Sequence, residues 1–521
     1  MENTRKSGIL MHFSSLHGRF GIGDLGAEAR DFARTCARAG FSVWQVLPFT
    51  PVARISGYSP YSSTSAFAGN FLFISPEDLC KCGLLSQKDI DCAASSEARA
   101  DFEYAAKIRK DLIRRAWNNF STGFTALHDE YEDFCREAFW LCDYALFTVL
   151  KEFHEGRAWA DWPRPYAMRD KAALDAFAEA HRDEISLVKF EQFIFFRQLA
   201  ALRRYCSSVG VTIFGDMPIY VAWDSADVWT NRALFDLAPD GAPRMEAGVP
   251  PDYFSKDGQL WGNPVYNWDE MKKDNFAWWR KRFLWQMKFC GIVRIDHFRG
   301  LCAFWEVPHG EKTAVKGRWH NAFARELLTA LSEDCDLSAS LVAEDLGVIT
   351  DEVREVMADF SLSGMKVLQF AFGCGKNNPY LPHNMAQNSA AYTGTHDNDT
   401  SLGWWMNASS DERRRLSLYT GAVINNENAA KVMCRIALAS PARLAILPIQ
   451  DIIGLGSEGR MNTPSVTDGN WAWRLLPEQF EEFANVRSHD FFEMNEIYDR
   501  IDAQRTEPHE KQKRAVNIKD D

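Results

Sequence analysis

Eight short apolar segments, separated by helical stretches or long insertions, limit what this sequence can fold into. Continuous apolar strands that alternate with helices are typical of a parallel sheet buried on both faces. Eight of them favour a closed (β/α)8 TIM barrel, in the α/β class, over an open sheet. The segments are Gly8 to Phe13, Phe41 to Leu47, Val211 to Phe214, Gly291 to Ile295, Ser340 to Ala343, Met365 to Phe372, Ala390 to Thr393 and Arg443 to Leu447.

Two long excursions interrupt this alternation. About 160 residues separate the second and third segments, and residues 99–156 have the periodicity of long amphipathic helices. We therefore expect an inserted helical subdomain at about residues 75–185. Residues 224–274, rich in Gly, Pro, Asn and aromatic residues, indicate a second insertion dominated by turns that shapes a cleft. The barrel with its insertions then spans residues 1–504, and the polar residues 505–521 form a frayed tail.

Composition excludes several classes of protein. Of the 521 residues, 46% are hydrophobic and 25% are charged, which is typical of a folded globular chain. The net charge of −12, with no long basic block, disfavours nucleic acid as a partner. No segment reaches the roughly 18 apolar residues of a membrane helix. The 12 scattered cysteines and the lack of a secretory segment favour the cytoplasm, and no metal-ligand spacing is present.

An early glycine motif allows a cofactor interpretation that its context weakens. Residues 21–26 read GIGDLG and match the GxGxxG pattern of dinucleotide-binding folds. Residues Leu16 to Phe20 intervene between the first strand and the motif, however, and the second strand does not end in the acidic residue that would bind a ribose. We therefore expect a glycine-rich bend leading into a helix from Asp24 to Arg38, rather than a nicotinamide site.

Acidic residues follow the predicted strands at equivalent positions. Asp216, Asp296 and Asp397 follow the third, fourth and seventh segments, and Glu344 and Asp345 follow the fifth. Each could be a helix cap or a satisfied buried carboxylate, but together they would meet at the C-terminal mouth of a barrel, where barrel enzymes carry out their chemistry. The 18 Trp, 14 Tyr and 36 Phe residues serve mostly as core, and aromatic faces beside amides and carboxylates also suit a sugar ring.

Long, non-degenerate motifs cover nearly the whole chain and make a specific resemblance. They are GYSPY (57–61), SAFAGN (65–70), GDMPIYVAWDSADVW (215–229), AGVPPDYFS (247–255), GQLWGNPVY (258–266), RIDHFRG (294–300), AEDLG (343–347), GTHDND (394–399) and QDIIGLGSEGRMN (450–462). In this order they resemble the 4-α-glucanotransferase family, also called amylomaltase or disproportionating enzyme, which is related to the α-amylases. The resemblance implies a barrel-fold, retaining, cytoplasmic enzyme of maltodextrin metabolism that needs no metal or cofactor.

The resemblance also implies roles for the three main carboxylates. Asp296 matches the nucleophile, Glu344 the acid/base, and Asp397 the carboxylate that grips sugar hydroxyls and favours a distorted ring. A retaining enzyme holds its first two carboxyl groups about 5 to 5.5 Å apart. Arg294 lies two residues before Asp296 on the same face of a strand, so we expect it to keep Asp296 ionised. Glu344 must start protonated, which calls for apolar or anionic surroundings.

Other residues of the motifs are candidates for substrate binding. They are Tyr61, Asp216, Arg294, His396, Asp252, Tyr253, Phe254, Trp261 and Asn462, with Gln450 as a weaker amide candidate. Asp216 could contact the sugar or only support Arg294, and a lone histidine such as His396 is often structural. Residues 247–266 either form a lid that excludes water or a Pro-rich turn over the core.

The expected ligands are α-1,4-glucans, maltooligosaccharides and glucose, and the oligomeric state is open. Two rival functions remain: an amylase-like or debranching-like hydrolase that uses the same site, and a glucan-binding protein without activity. The family usually has Gln, Pro and Gly-Thr where this chain has Ser62, Phe71 and Ser465-Val466. We expect these differences to alter acceptor preference and chain length, and to leave the reaction class unchanged.

Overall fold

Eight parallel strands close into a barrel, which confirms the fold predicted from the apolar segments. The computed structural model describes residues 5–93, 98–123, 126–251, 255–373, 375–466 and 468–501. Its strands are β1 (Lys6–Leu10), β2 (Val43–Gln45), β3 (Thr212–Met217), β4 (Met245–Val249), β5 (Gln259–Pro264), β6 (Ile292–Ile295), β7 (Ala303–Pro308), β8 (Arg318–Asn321), β9 (Leu341–Ala343), β10 (Ser363–Val367), β11 (Ser389–Tyr392) and β12 (Leu444–Pro448). The barrel order is β1-β12-β11-β10-β9-β6-β3-β2.

The register of the barrel brings the ends of β6 and β9 together. Ile295 pairs with Ala343 in the parallel ladder, so the residues that follow, Asp296 and Glu344, leave the sheet side by side. β3 flanks β6 on the other side, and Asp216 of β3 pairs with Arg294 of β6. The closed sheet therefore fixes three acidic groups at neighbouring positions.

The apolar segments extend beyond two of the strands. β1 ends at Leu10 and a 3₁₀ turn follows at Phe13–Ser15, and β10 ends at Val367 before a 3₁₀ turn at Leu368–Phe370. Phe13 and Leu368 are completely buried although they lie outside the ladder. Strand length was predicted incorrectly there because burial, and not strand pairing, keeps those positions apolar.

Helices cover the outside of the barrel and fill the long connections. They are α1 (Ala27–Arg38), α2 (Pro76–Lys81), α3 (Gln87–Asp91), α4 (Phe102–Thr122), α5 (Leu127–Glu137), α6 (Leu141–Phe153), α7 (Arg164–Ala167), α8 (Lys171–Ala180), α9 (Arg182–Ser208), α10 (Ala226–Thr230), α11 (Trp268–Lys273), α12 (Ala277–Met287), α13 (Ala324–Ser332), α14 (Leu337–Ser340), α15 (Asp351–Asp359), α16 (Ser401–Asn407), α17 (Ser410–Thr420), α18 (Ala429–Ala439), α19 (Ile449–Ile453), α20 (Pro477–Glu482) and α21 (Ser488–Ile497). Across the described residues, no helix combines the length and hydropathy needed to cross a membrane.

Helix α9 anchors the chain segment that leads from β2 toward the cleft. Gln192 accepts from the N–H of Gly69 at 2.8 Å and donates to its carbonyl at 2.9 Å. Gln198, nearly two turns later, does the same for Ser75 at 2.7 and 3.1 Å. These paired amide contacts replace the sheet hydrogen bonds that an irregular buried segment lacks.

A second sheet of four antiparallel strands, in the order β5-β4-β7-β8, lies beside the barrel mouth. An insertion dominated by turns was expected over residues 224–274, but β4 and β5 form there and pair with each other. β4 also pairs with β7 from the connection after β6, and β7 pairs with β8. A glycine and a proline within β5 hid that strand from sequence reasoning. All four residues of β8 are exposed, so no apolar alternation marks it.

The early glycine motif forms a bend, and α1 begins at Ala27, three residues later than expected. Asp24 accepts from the N–H of Gly26 at 2.9 Å. Arg109 of α4 donates to the carbonyl of Phe20 at 2.5 Å and to the carboxyl of Asp24 at 3.2 Å. The motif is thus held by a buried cation of the helical insertion.

Candidate active site

An open cleft at the C-terminal mouth of the barrel brings most of the predicted residues together. It encloses about 2040 Å³ of open space, solvent included. Its lining includes Tyr61, Trp261, Asp296, Glu344, His396, Asp397 and Asn462. Three of the unusual residues, Ser62, Ser465 and Val466, also line this cleft, whereas Phe71 begins a 3₁₀ turn elsewhere, contrary to expectation.

Arg294 joins two carboxylates across the bottom of the cleft. Its Nη1 donates to Oδ2 of Asp216 and its Nη2 to Oδ1 of Asp296, both at 2.5 Å. The Asp216 side chain is completely buried, whereas that of Asp296 keeps 30% of its surface exposed. Burial alone would lower the pKa of Arg294, but Asp216 and Asp296 raise it well above its ordinary value. The guanidinium is therefore a permanent cation, and Asp296 is the carboxylate that a ligand can reach.

Tyr61 completes this network from the segment after β2. Its hydroxyl donates to Oδ2 of Asp216 at 2.7 Å, and its ring stacks on His396 with centroids 5.0 Å apart at 18°. Burial, with Asp216 as the next cause, raises the pKa of the Tyr61 phenol well above its ordinary value, so the group stays protonated. Because the Asp216 side chain is fully buried and its Oδ2 accepts from both Tyr61 and Arg294, the geometry favours a supporting role for it over direct contact with a sugar.

Glu344 has the surroundings of a carboxyl group that holds a proton near neutrality. Burial and, as the next cause, the nearby Asp296 raise its pKa to about 7, although Arg294 and two main-chain donors act in the opposite direction. Those donors are the N–H of His297, 2.8 Å from Oε2, and the N–H of Leu346, 2.7 Å from Oε1. Glu344 is thereby oriented by atoms of its own loop and of the loop that carries Asp296.

Asp397 lies in the loop between β11 and α16 and is fixed by neighbouring polar groups. Asn462 donates to its Oδ1 at 2.6 Å, and Nε2 of His396 lies 3.3 Å from the same oxygen. Arg460 donates to the main-chain carbonyl of Asp397 at 2.8 Å. The buried Asp451 carboxylate accepts hydrogen bonds from Thr393 and Ser401, which lie at the two ends of this loop.

Trp261 of β5 faces the cleft from the small sheet. Its side chain is 36% exposed, and its ring meets His297 edge-on with centroids 5.0 Å apart. Three further predicted residues, Asp252, Tyr253 and Phe254, lie outside the described residues. Gln450 is not part of the cleft lining, because it donates to the carbonyl of Gly459 below the Asp397 loop.

Sequence reasoning missed His297, Trp471 and Arg460. His297 follows Asp296 directly and adopts a left-handed backbone with φ 48°, which points its N–H at Glu344. Burial lowers the pKa of its imidazole to about 4, so the ring is neutral at pH 7. Its place inside the RIDHFRG motif was the available signal. Among the described residues, no group of three or more His, Cys, Asp or Glu side chains is arranged to hold a metal ion.

Comparison with known proteins agrees with this geometry. The glycoside hydrolase 77 family, described as 4-alpha-glucanotransferase, matches residues 11–479. The 4-alpha-glucanotransferases of Synechocystis sp. and Thermus thermophilus are 44% and 43% identical over 505 and 500 residues, covering 96% and 94% of this chain and 99% and 98% of theirs.

Among solved structures, the amylomaltase from Streptococcus agalactiae in complex with acarbose superposes with a TM-score of 0.91 at 34% identity. The match covers 96% of this chain and 100% of that one. These relatives share the barrel over essentially their full length. The chain therefore belongs to the 4-alpha-glucanotransferase family.

Proposed function

We propose that this protein transfers α-1,4-glucan segments from a donor maltodextrin to the 4-hydroxyl of glucose or of another glucan, with retention of configuration. The observation that carries this proposal is the pair of carboxyl groups at the ends of β6 and β9. Asp296 faces a permanent cation, and Glu344, next to it, holds its proton near neutral pH. Two carboxyl groups in opposite protonation states are what double displacement at a glycosidic bond requires.

In the first step, Asp296 is the nucleophile. One of its oxygens forms a bond to the anomeric carbon, while the bond from that carbon to the leaving-group oxygen breaks. Glu344 gives its proton to that oxygen, so the shortened glucan leaves as a neutral alcohol. Arg294 stays bound to Asp296 and orients the carboxylate toward the cleft.

In the second step, Glu344 acts as the base. Its carboxylate takes the proton of the acceptor 4-hydroxyl as that oxygen attacks the anomeric carbon, and the bond to Asp296 breaks. The charge on each carboxyl group is thereby restored. The backbone donors at both Glu344 oxygens, His297 and Leu346, are suited to this role because they stabilise the ionised form between the steps.

Asp397, His396 and Asn462 form the sugar-binding wall in this proposal. Asn462 and His396 meet Oδ1 of Asp397, which leaves the second carboxylate oxygen to accept sugar hydroxyls. Tyr61, stacked on His396, presents an aromatic face beside them. A carboxylate near the ring also stabilises the positive charge that develops on the sugar in the transition state.

A digest of maltotriose with purified protein tests the transferase activity against hydrolysis. We expect a ladder of longer oligosaccharides together with glucose. Shorter products alone would show an amylase-like or debranching-like hydrolase, and unchanged maltotriose would leave only a glucan-binding protein. Asp296→Asn and Glu344→Gln variants, run in parallel, should give no ladder.

The setting and division of the chain are also proposals. We assign residues 1–504 to one catalytic unit, with insertions at about 75–185 and 224–274, and residues 505–521 to a tail outside it. We place the reaction in the cytoplasm, as the sequence predicts. Cell fractionation with an antibody tests the location, and removal of residues 505–521 should leave the maltotriose ladder unchanged.

A further inference from the structure

The loop after β6 is contacted from both edges of the small antiparallel sheet. On the β5 edge, Trp261 meets His297 with ring centroids 5.0 Å apart at 89°. On the β8 edge, the guanidinium carbon of Arg299 lies 3.9 Å from the ring centroid of Trp319. Tryptophans of the two outer strands thus contact the segment that immediately follows Asp296.

Arg299 also reaches the loop after β9. Its Nη1 donates to the carbonyl of Val348 at 2.5 Å, four residues beyond Glu344. The same two loops are joined by the N–H of His297 to Oε2 of Glu344 at 2.8 Å and by the N–H of Phe298 to the Glu344 carbonyl at 3.2 Å. A side chain therefore reinforces two main-chain contacts between the nucleophile loop and the acid/base loop.

Contacts with the neighbouring strand β7 hold the Trp319 ring in place beneath this guanidinium. It lies opposite Trp305 in the ladder between β7 and β8, and the two rings pack edge-on with centroids 5.4 Å apart. The indole N–H of Trp305 donates to the carbonyl of Ala314 at 2.9 Å. Because a guanidinium stacks on an aromatic face as a plane, Trp319 fixes the orientation in which Arg299 reaches Val348.

We propose that Arg299, held against Trp319, is a positioning residue that sets the separation between Asp296 and the acid/base Glu344. This inference rests on the proposed function, because it assumes that Glu344 delivers a proton. Arg299 is not part of the cleft lining, so its effect on the reaction passes through the two loops it joins.

Loss of Arg299 should lower the pKa of Glu344. The groups that act on Glu344 are Asp296 and Arg294 with the main-chain donors of His297 and Leu346, and Tyr380 faces it from the connection after β10. If the loops separate, water reaches Glu344 and Asp296 recedes, and both changes lower its pKa. The recession of Arg294 together with Asp296 and the loss of a main-chain donor have the opposite sign, but burial and Asp296 are the larger causes. The net change is toward the ordinary value of a glutamate.

The test compares Arg299→Met and Arg299→Lys with Arg169→Met. Arg169 is a matched control, because its guanidinium also stacks on a tryptophan, Trp229 at 4.2 Å, but it lies in the helical insertion. Transfer is measured from acid to alkaline pH with maltotriose and with a dinitrophenyl maltoside, whose leaving group needs no proton.

We expect Arg299→Met to lower kcat for maltotriose about tenfold to a hundredfold with KM nearly unchanged. Its alkaline limb should move to lower pH, and the loss should be much smaller with the dinitrophenyl donor. The kcat and alkaline limb of Arg299→Lys should fall between those of Arg299→Met and wild type. Trp319→Phe should resemble Arg299→Lys, because a ring remains beneath the Arg299 side chain. Arg169→Met should match wild type.

Equal losses with both donors, or an unmoved alkaline limb, would overturn the inference. If Arg299→Met does not fold, the same measurements are made on Arg299→Lys. An unshifted alkaline limb in Arg299→Lys would also overturn the inference. A wild-type protein that makes no transfer products would refute the proposed function itself. An active wild type with Arg299→Met equal to Arg169→Met would refute only the role of Arg299.

Discussion

The closed barrel and the small antiparallel sheet contribute different kinds of residue to one cleft. The barrel holds its acidic groups tightly: Asp216 is fully buried and Arg294 bridges it to Asp296. The sheet contributes Trp261, whose ring is 36% exposed and whose indole N–H is bonded within its own strand, to Gln259 at 3.1 Å. One region holds charges in fixed places, and the other presents an accessible aromatic surface.

This difference suggests a division of labour between the two regions. Bond cleavage requires charged groups that do not reorganise during the reaction, and a closed parallel sheet provides such positions. The choice between a sugar acceptor and water depends on what covers the cleft, for which an exposed surface on a neighbouring sheet is sufficient. Changes to the charged groups of the barrel should therefore reduce the rate of all products, whereas changes to the cleft-facing ring of the sheet, Trp261, should alter their ratio.

The largest effect is expected from Asp296→Asn. Without a nucleophile, both hydrolysis and transfer should fall by a factor on the order of 10⁴ or more. Product analysis on maltotriose measures both, and the exposed Glu481→Gln should behave as wild type. A variant that lost transfer but kept hydrolysis would contradict the division of labour.

Arg294→Met should be the most destabilising change in the barrel network. It leaves Asp216 buried without its cation, for which the expected loss of unfolding free energy is about 3 to 5 kcal/mol. Urea unfolding measures this, with Arg182→Met as a control that breaks only an exposed helix pair with Glu179. Equal midpoints for the two variants would show that the buried pair does not hold the site together.

The eight barrel strands could be predicted because each is a continuous buried run. The carboxylates at their ends followed from the same pattern, since the C-terminal ends of parallel strands share one face. The small sheet could not be predicted, because every residue of Arg318–Asn321 is exposed and β5 contains glycine and proline. The sheet is joined at its centre by pairing between β4 and β7, which are distant in sequence, and local propensity does not record such pairing.

The surroundings of the site residues could also be predicted from the sequence only in part. Arg294 beside Asp296 followed from a spacing of two along a strand. The contact between the His297 N–H and Glu344 did not, because it depends on a left-handed φ of 48° at a residue with a side chain. Likewise, the burial that makes Asp216 a supporting group comes from packing of the Tyr61 segment over it.

The pH dependence of donor cleavage sharpens the account of the barrel. In the proposed mechanism Glu344 must be protonated to release the leaving group, and its pKa is raised to about 7. We therefore expect kcat/KM for maltotriose to be highest below that value and to fall as the pH rises through it. Glu344→Gln should lack this limb in whatever cleavage of maltotriose it retains. A limb that persists in that variant would belong to another group.

The smallest effect on total rate is expected from Trp261→Ala. Removing the exposed ring should admit water and raise the ratio of hydrolysis to transfer a few-fold, with donor cleavage little changed. New reducing ends and redistributed oligosaccharides measure the ratio, and Trp261→Phe is the control that keeps an aromatic cover. An unchanged ratio in Trp261→Ala would mean that the sheet does not control the choice of acceptor.

The central claim is that Asp296 bonds to the sugar while Glu344, beside it, moves the proton. Trapping the glycosyl-enzyme tests this most directly: Glu344→Gln is incubated with maltosyl fluoride, which reacts without an acid, and the labelled peptide is identified by mass spectrometry. The account predicts a maltosyl ester on Asp296. An ester on Asp397 or Asp216, or efficient turnover in Asp296→Asn, would contradict it.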